Sequence, residues 1–123
     1  MSANDIVFLS ATQLTEQIRQ KKLSAVEVLE AHLRQIELFN PRLNAIVTLC
    51  PDLALEAART VDKSIYNNDP LGILAGLPVA HKDLVMTKGI KTTYGSPIFR
   101  NFIPDQDALI VQRLKNGGCG NGW

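Results

Sequence analysis

The stretch Leu74-Ala75-Gly76-Leu77-Pro78-Val79-Ala80-His81-Lys82-Asp83-Leu84 decides how the chain is read. Gly76 supplies a turn, Pro78 stands where a strand's missing amide costs least, and residues 77–84 are predicted to form a strand. His81-Lys82-Asp83 is a charged cluster inside this apolar run, and lysine is almost never fully buried without a purpose. Strand alternation points Val79, His81 and Asp83 one way and Ala80, Lys82 and Leu84 the other. Lys82 would then stand among apolar neighbours and away from Asp83. Low-dielectric surroundings disfavour a charged amine, so a lysine placed in this way is a candidate base near neutral pH. The same spacing also fits a strand-end lysine whose head reaches water.

Working outward toward the N-terminus, Ser10 precedes Ala11, Leu14 and Ile18, whose spacing predicts a helix over residues 11–21. Ser24-Ala25-Val26-Glu27 has the form of a capping box and opens a second helix with a stripe of Val26, Leu29, Leu33 and Ile36. Pro41 biases Asn40 away from the α region, so this helix is expected to end near Phe39. The β-rich run 44–49, bounded by Pro41 and Pro51, reads as a strand or an extended connector. A third helix is expected over 52–67, closed by Asn67-Asn68-Asp69-Pro70.

Toward the C-terminus, Thr87-Lys88-Gly89-Ile90 and Tyr94-Gly95-Ser96-Pro97 carry turn chemistry. Asp105 or Asp107 is expected to cap a last helix bearing Ala108, Val111 and Leu114, stopped by Gly117-Gly118. An α/β chain should next supply an apolar strand, and Gly118-Cys119-Gly120-Asn121-Gly122-Trp123 offers none. The fold class is therefore read as α/β and cut off: a helical arm over 8–41, the start of a mixed sheet with flanking helices over 42–118, and a divergent tail over 119–123.

The composition narrows function further. With 46% hydrophobic and 20% charged residues in 123, the chain has globular composition. Thirteen Lys+Arg against twelve Asp+Glu give a net charge of +1, and no basic patch is dense enough for a phosphate backbone, so nucleic acid is not expected as a direct ligand. Cys50 and Cys119 stand far apart without a C-x-x-C pattern, which favours a reducing, cytoplasmic setting. No leader pattern or run of about 18 apolar residues suggests export or a membrane span. His32 and His81 have no metal-ligand spacing, with His32 expected on a helix surface. There is no G-x-S-x-G elbow and no nucleotide fingerprint, so neither metal nor cofactor is expected. Ser96, between Gly95 and Pro97, reads as a turn residue rather than a nucleophile.

Residues 74–83, followed by Gly89, Thr92-Thr93-Tyr94-Gly95-Ser96-Pro97 and Pro104-x-x-Asp107-Ala108, resemble the opening half of the amidase signature family. Ser10-Ala11-Thr12-x-Leu14, Glu27-Val28 and Asn40-Pro41-x-Leu43-Asn44-Ala45 resemble that family's helical N-terminal arm, so the likeness runs from about residue 8 to 118. The resemblance implies hydrolysis or transfer of carboxamides by a Ser-Ser-Lys triad, and it makes Lys82 the catalytic lysine. A neutral amine takes a proton from a bridging serine hydroxyl, which takes one from the nucleophilic serine, and that proton later reaches the departing amine. Backbone amides of a Gly-rich loop hold the tetrahedral oxyanion.

In the family both serines lie in a Gly/Ser-rich stretch downstream of the lysine, and these 123 residues do not reach one. The loss of pattern near Gly118 reads as a shifted frame or premature stop, to be tested on the DNA downstream. The expected function is therefore the N-terminal part of an amide hydrolase, inactive alone, with a small carboxamide as substrate once completed and a tendency to self-associate. Two alternatives carry weight: part of the amidase-type subunit of a tRNA-dependent amidotransferase, and a non-catalytic interaction module that docks through its first helices.

Overall fold

A computed structural model describes residues 2–121. The chain runs through α1 (Ala3–Val7), α2 (Ala11–Arg19), α3 (Ala25–Leu43), α4 (Pro51–Asn67), β1 (Pro78–Val79), a 3₁₀ turn at Pro97–Phe99, α5 (Leu109–Asn116) and β2 (Gly120–Asn121).

The first three helices open on the same device. Ser2 with Asp5, Ser10 with Gln13 and Ser24 with Glu27 each form a reciprocal capping box that satisfies two orphan amides of the first turn. The first of these, with helix α1, has no counterpart in the sequence reading, because five residues carry too short a stripe to register as periodic. Helix α2 stops at Arg19, earlier than expected, because Lys21 turns left-handed at φ 58° and the Lys22 amide folds back onto the Gln17 carbonyl at 2.9 Å.

Helix α3 continues past Phe39, contrary to expectation, and contains Pro41. Pro41 falls in the last turn, where its missing amide forfeits one helical bond at a frayed end. The Asn40 side chain then fixes the exit: its Nδ2 donates to the Ile46 carbonyl at 2.9 Å, and its Oδ1 accepts from the Ile46 amide at 2.8 Å. Residues 44–50 are consequently a connector and not a strand, since Asn40 occupies the backbone groups of Ile46 that a neighbouring strand would need.

Two apolar clusters meet along α3. Ile6, Leu14, Ile18, Leu23, Val28 and Ala31 are buried together on one side. On the other, Ala25 and Leu29 pack against Ala54 and Ala58 of α4, small residues one turn apart that let the two helices approach closely. Asp62 of α4 strengthens this contact by accepting the Ala25 amide at 2.7 Å and the Val26 amide at 3.2 Å, placing a carboxylate at the N-terminus of α3.

Gly76 carries the chain over this core into β1. Its φ of +82° favours glycine, and an added Cβ would lie 2.7 Å from Ile18 Cδ1. The expected strand over 77–84 shrinks to Pro78–Val79. A partner strand does follow α5, correcting the expectation that none would come: Pro78 pairs with Gly120 and Val79 with Asn121 in parallel. Two residues of backbone pairing need no apolar side chains. The approach is already set upstream, where the Leu74 amide donates to the Gly117 carbonyl at 2.8 Å. Strand, α5 crossover and parallel strand form a βαβ unit beside the helices, so the α/β class stands. The tail expectation also concerns Gly122 and Trp123, which lie outside the described residues. Among the described residues, no helix is long and apolar enough to cross a membrane.

Candidate active site

The site grows from the segment after β1. Beyond Val79 the chain leaves the strand and turns, with the Val85 amide donating to the Lys82 carbonyl at 3.0 Å. Strand alternation therefore does not apply at Lys82. The residue is exposed on this turn, and its neighbours Ala80 and Leu84 are exposed as well, so the apolar surroundings expected from the sequence are not present. The short strand explains the difference: among the described residues β2 pairs with Pro78 and Val79 alone, and the backbone from Ala80 onward leaves the strand and turns.

Asp83 faces inward from the same turn. It accepts the Thr93 amide at 2.7 Å, and its second oxygen accepts the Thr93 hydroxyl. Thr93 begins a turn in which the Ser96 amide donates to the Thr93 carbonyl at 2.9 Å. Tyr94 at φ 53° and Gly95 at φ 66° give both central residues the left-handed backbone of a type I′ turn. The Gly95 amide donates in addition to Thr93 Oγ1 at 3.2 Å. Next to it Thr92 is buried, its amide bound to the Phe102 carbonyl at 3.0 Å and its hydroxyl to the Ile90 carbonyl at 3.2 Å. Tyr94, Phe99 and Phe102 pack ring on ring over this turn, with Tyr94 and Phe99 edge to face at 5.2 Å.

A second anchor lies at Asp107. Here the expectation of a helix cap needs correction, because Ala108 is the N-cap residue of α5 and Asp107 reaches elsewhere. Its carboxylate accepts the Lys88 amide at 2.7 Å and Lys115 Nζ at 2.6 Å, and the Ala108 amide donates to the Met86 carbonyl at 2.9 Å. Burial pushes the Asp107 carboxyl up. The Lys115 and Lys88 hydrogen bonds and the charges of both lysines outweigh that, holding it below the usual aspartate range. Asp107 therefore ties the far end of the lysine loop to α5.

A cavity of about 240 Å³ opens beside Lys82, walled by the connector at Ile46 and Thr48 and by His81, Asp83, Thr87 and Thr92. His81 and His32 sit on different elements, with His32 half-buried on α3 and its Nδ1 2.8 Å from the Val28 carbonyl. Among the described residues, no three His, Cys, Asp or Glu side chains are grouped as a metal centre needs. Cys119 is buried, and burial pushes its thiol up, which disfavours the thiolate. Ser96 sits at the entry to the 3₁₀ turn, its hydroxyl accepting the Ile98 amide at 3.4 Å, in keeping with a turn residue.

Sequence reasoning missed the partnership of Asp83 with Thr93, having assigned Asp83 only to the face opposite Lys82. The signal was the Thr92-Thr93 pair just before Tyr94-Gly95, since a hydroxyl at the first position of a tight turn readily caps it.

Helices leading into a parallel βαβ unit, with one lysine on the turn behind its first strand, define an α/β chain. The chain belongs to the Amidase family, whose profile matches residues 27–120. Among curated relatives it is 45% identical over 115 residues to a glutamyl-tRNA(Gln) amidotransferase subunit from Carboxydothermus hydrogenoformans, covering 94% of this chain and 24% of that protein. The corresponding protein from Ehrlichia ruminantium is 44% identical over 116 residues, covering 94% and 23%.

Among solved structures, the chain superposes on the peptide amidase of Stenotrophomonas maltophilia with a TM-score of 0.86 at 29% identity, covering 94% of this chain and 24% of that one. A fatty acid amide hydrolase gives a TM-score of 0.91 at 26% identity, covering 98% and 21%. The chain thus spans about a quarter of the length of the curated relatives it matches.

Proposed function

We propose that these residues form the lysine-bearing opening segment of an enzyme acting on carboxamides, with Lys82 as the base of a Ser-Ser-Lys triad. The observation that carries this reading is the position of Lys82: it follows Gly76-Leu77-Pro78-Val79-Ala80-His81, lies within the matched region 27–120, and opens a turn held on its C-terminal side at Asp83 and at Lys88. The exposure of Lys82 agrees with it. In a longer chain, residues outside these 123 would supply both serines and cover the amine, removing it from water as a base requires. Ile98, Ile103, Leu109 and Ile110 are exposed apolar side chains that the same covering would bury, and left bare they favour self-association.

In the reaction the nucleophilic serine oxygen attacks the amide carbon, its proton passing through the bridging serine to the Lys82 amine. The tetrahedral intermediate expels the amine, which takes that proton, and water then releases the acid from the acyl-serine.

A second reading, the amidase-type subunit of a tRNA-dependent amidotransferase, is supported by 45% identity to one such protein, compared with 26–29% to the hydrolases. Released ammonia would then pass to an acceptor. The free thiols of Cys50 and Cys119 fit a cytoplasmic setting in either case.

The experiment is a graft: residues 27–120 replace the matching quarter of the Stenotrophomonas maltophilia peptide amidase, and ammonia release from a peptide amide is followed. Turnover that Lys82→Ala abolishes is the expected result. Turnover unaffected by Lys82→Ala would overturn the assignment.

A further inference from the structure

The inference rests on Lys82 being the base and concerns what holds it in place. An exposed lysine on a turn has side-chain freedom to lose before it can act, and a backbone that also moves would add to that cost. On the N-terminal side the pairing of β1 ends at Val79, three residues earlier. On the C-terminal side Asp83 is gripped through both carboxylate oxygens by one residue, Thr93.

Thr93 is itself fixed in three ways. Its carbonyl closes the type I′ turn with Ser96, its hydroxyl oxygen receives the Gly95 amide, and the preceding Thr92 is buried and bonded to Phe102. The three aromatic rings of Tyr94, Phe99 and Phe102 keep that turn from opening. A carboxylate with both oxygens bound to one rigid residue cannot swing, and the Cα of Lys82 is one peptide unit away.

We propose that Asp83 and Thr93 act as a positioning clamp that fixes the backbone of Lys82 for proton transfer, with the Thr93 hydroxyl as its essential part. Neither residue touches the reacting atoms; both act through Lys82. The pair differs from an ordinary turn bond in what it needs. Thr93 must keep a hydroxyl, and Asp83 must keep a second acceptor oxygen in the same plane.

The clamp is tested first on the full 123-residue chain by NMR, measuring backbone order at Lys82 and amide exchange at Thr93 in the parent and in Asp83→Asn, Thr93→Val and Thr93→Ser. The expected result is faster Thr93 exchange, by about tenfold or more, in Asp83→Asn, and lower order at Lys82 in both Asp83→Asn and Thr93→Val. Thr93→Ser should restore the parent pattern, and the unfolding midpoints should stay close together. Unchanged order at Lys82 in Thr93→Val, or failure of Thr93→Ser to restore it, would overturn the clamp. In the grafted enzyme, Thr93→Val should lower kcat by roughly 10- to 100-fold with KM little changed, the size expected of a base displaced by about an ångström, and Thr93→Ser should recover it. Activity lost in Lys82→Ala but untouched in Asp83→Asn and Thr93→Val would reject the clamp while leaving Lys82 as the base. Activity indifferent to Lys82→Ala would reject the base itself, whatever the NMR shows.

Discussion

Gly76 passes over the fully buried Ile18 so closely that a β-carbon at Gly76 would stand 2.7 Å from Ile18 Cδ1 and 3.2 Å from Ala25 Cβ. This contact aligns the turn before β1 with the helical core, and the lysine loop hangs from it. Gly76→Ala combines overpacking with a left-handed φ of +82°, a loss of about 2–4 kcal/mol from the two effects together. Chemical denaturation should show a clearly lower midpoint. An unchanged midpoint would mean that the core yields freely at Ile18.

Asp62 joins α4 to α3 by capping the Ala25 and Val26 amides from another helix. Asp62→Ala leaves two N-terminal amides without this partner and should cost about 1–2 kcal/mol. Asp62→Asn, which keeps one acceptor oxygen, should cost less. Urea unfolding of the two variants measures the order, and equal losses would show that the cap matters only for its charge.

Acid should loosen α5 from the lysine loop. The Asp107 carboxyl lies below the usual aspartate range in the folded chain, so its contribution to stability is present above the unfolded value of about 4 and is lost as pH falls through the folded value. The Lys88 amide, bonded to Asp107, is the probe: its exchange protection should persist as pH falls through about 4 and be lost only at lower pH, where the folded carboxyl takes up its proton. Asp107→Asn should remove this acid step from the profile. An acid step in Lys88 exchange that is the same in the parent and in Asp107→Asn would contradict it.

The helices were legible because their signals are local. Ser10 and Ser24 mark helix starts, Asn68 and Gly117 fall at the stops, and Pro51 opens α4 within a residue of its expected start. What escaped depends on partners distant in sequence. The extent of β1 is set by Gly120 and Asn121, about forty residues away, and no pattern at Val79 records that pairing ends there. The same blindness put Lys82 on a strand face and left Asp83 without Thr93. Pro41 misled for a different reason: the rule for the residue before proline weakens in a last helical turn, and the Asn40 side chain holds the exit. Lys82 was drawn from two readings, its place on a strand face among apolar neighbours and the motif around it; the exposed turn removes the first and leaves the second.

The most direct measurement is kcat for Lys82→Arg beside Lys82→Ala and His81→Val in the grafted amidase. Arginine keeps the length and the charge of lysine but stays protonated, so it cannot accept the serine proton. Both Lys82 variants are expected to lose at least about 10²–10³-fold in kcat, the scale of a missing general base, with His81→Val far milder. A Lys82→Arg enzyme that retains most of its parent's kcat, or one no worse than His81→Val, would contradict the assignment of Lys82 as the base.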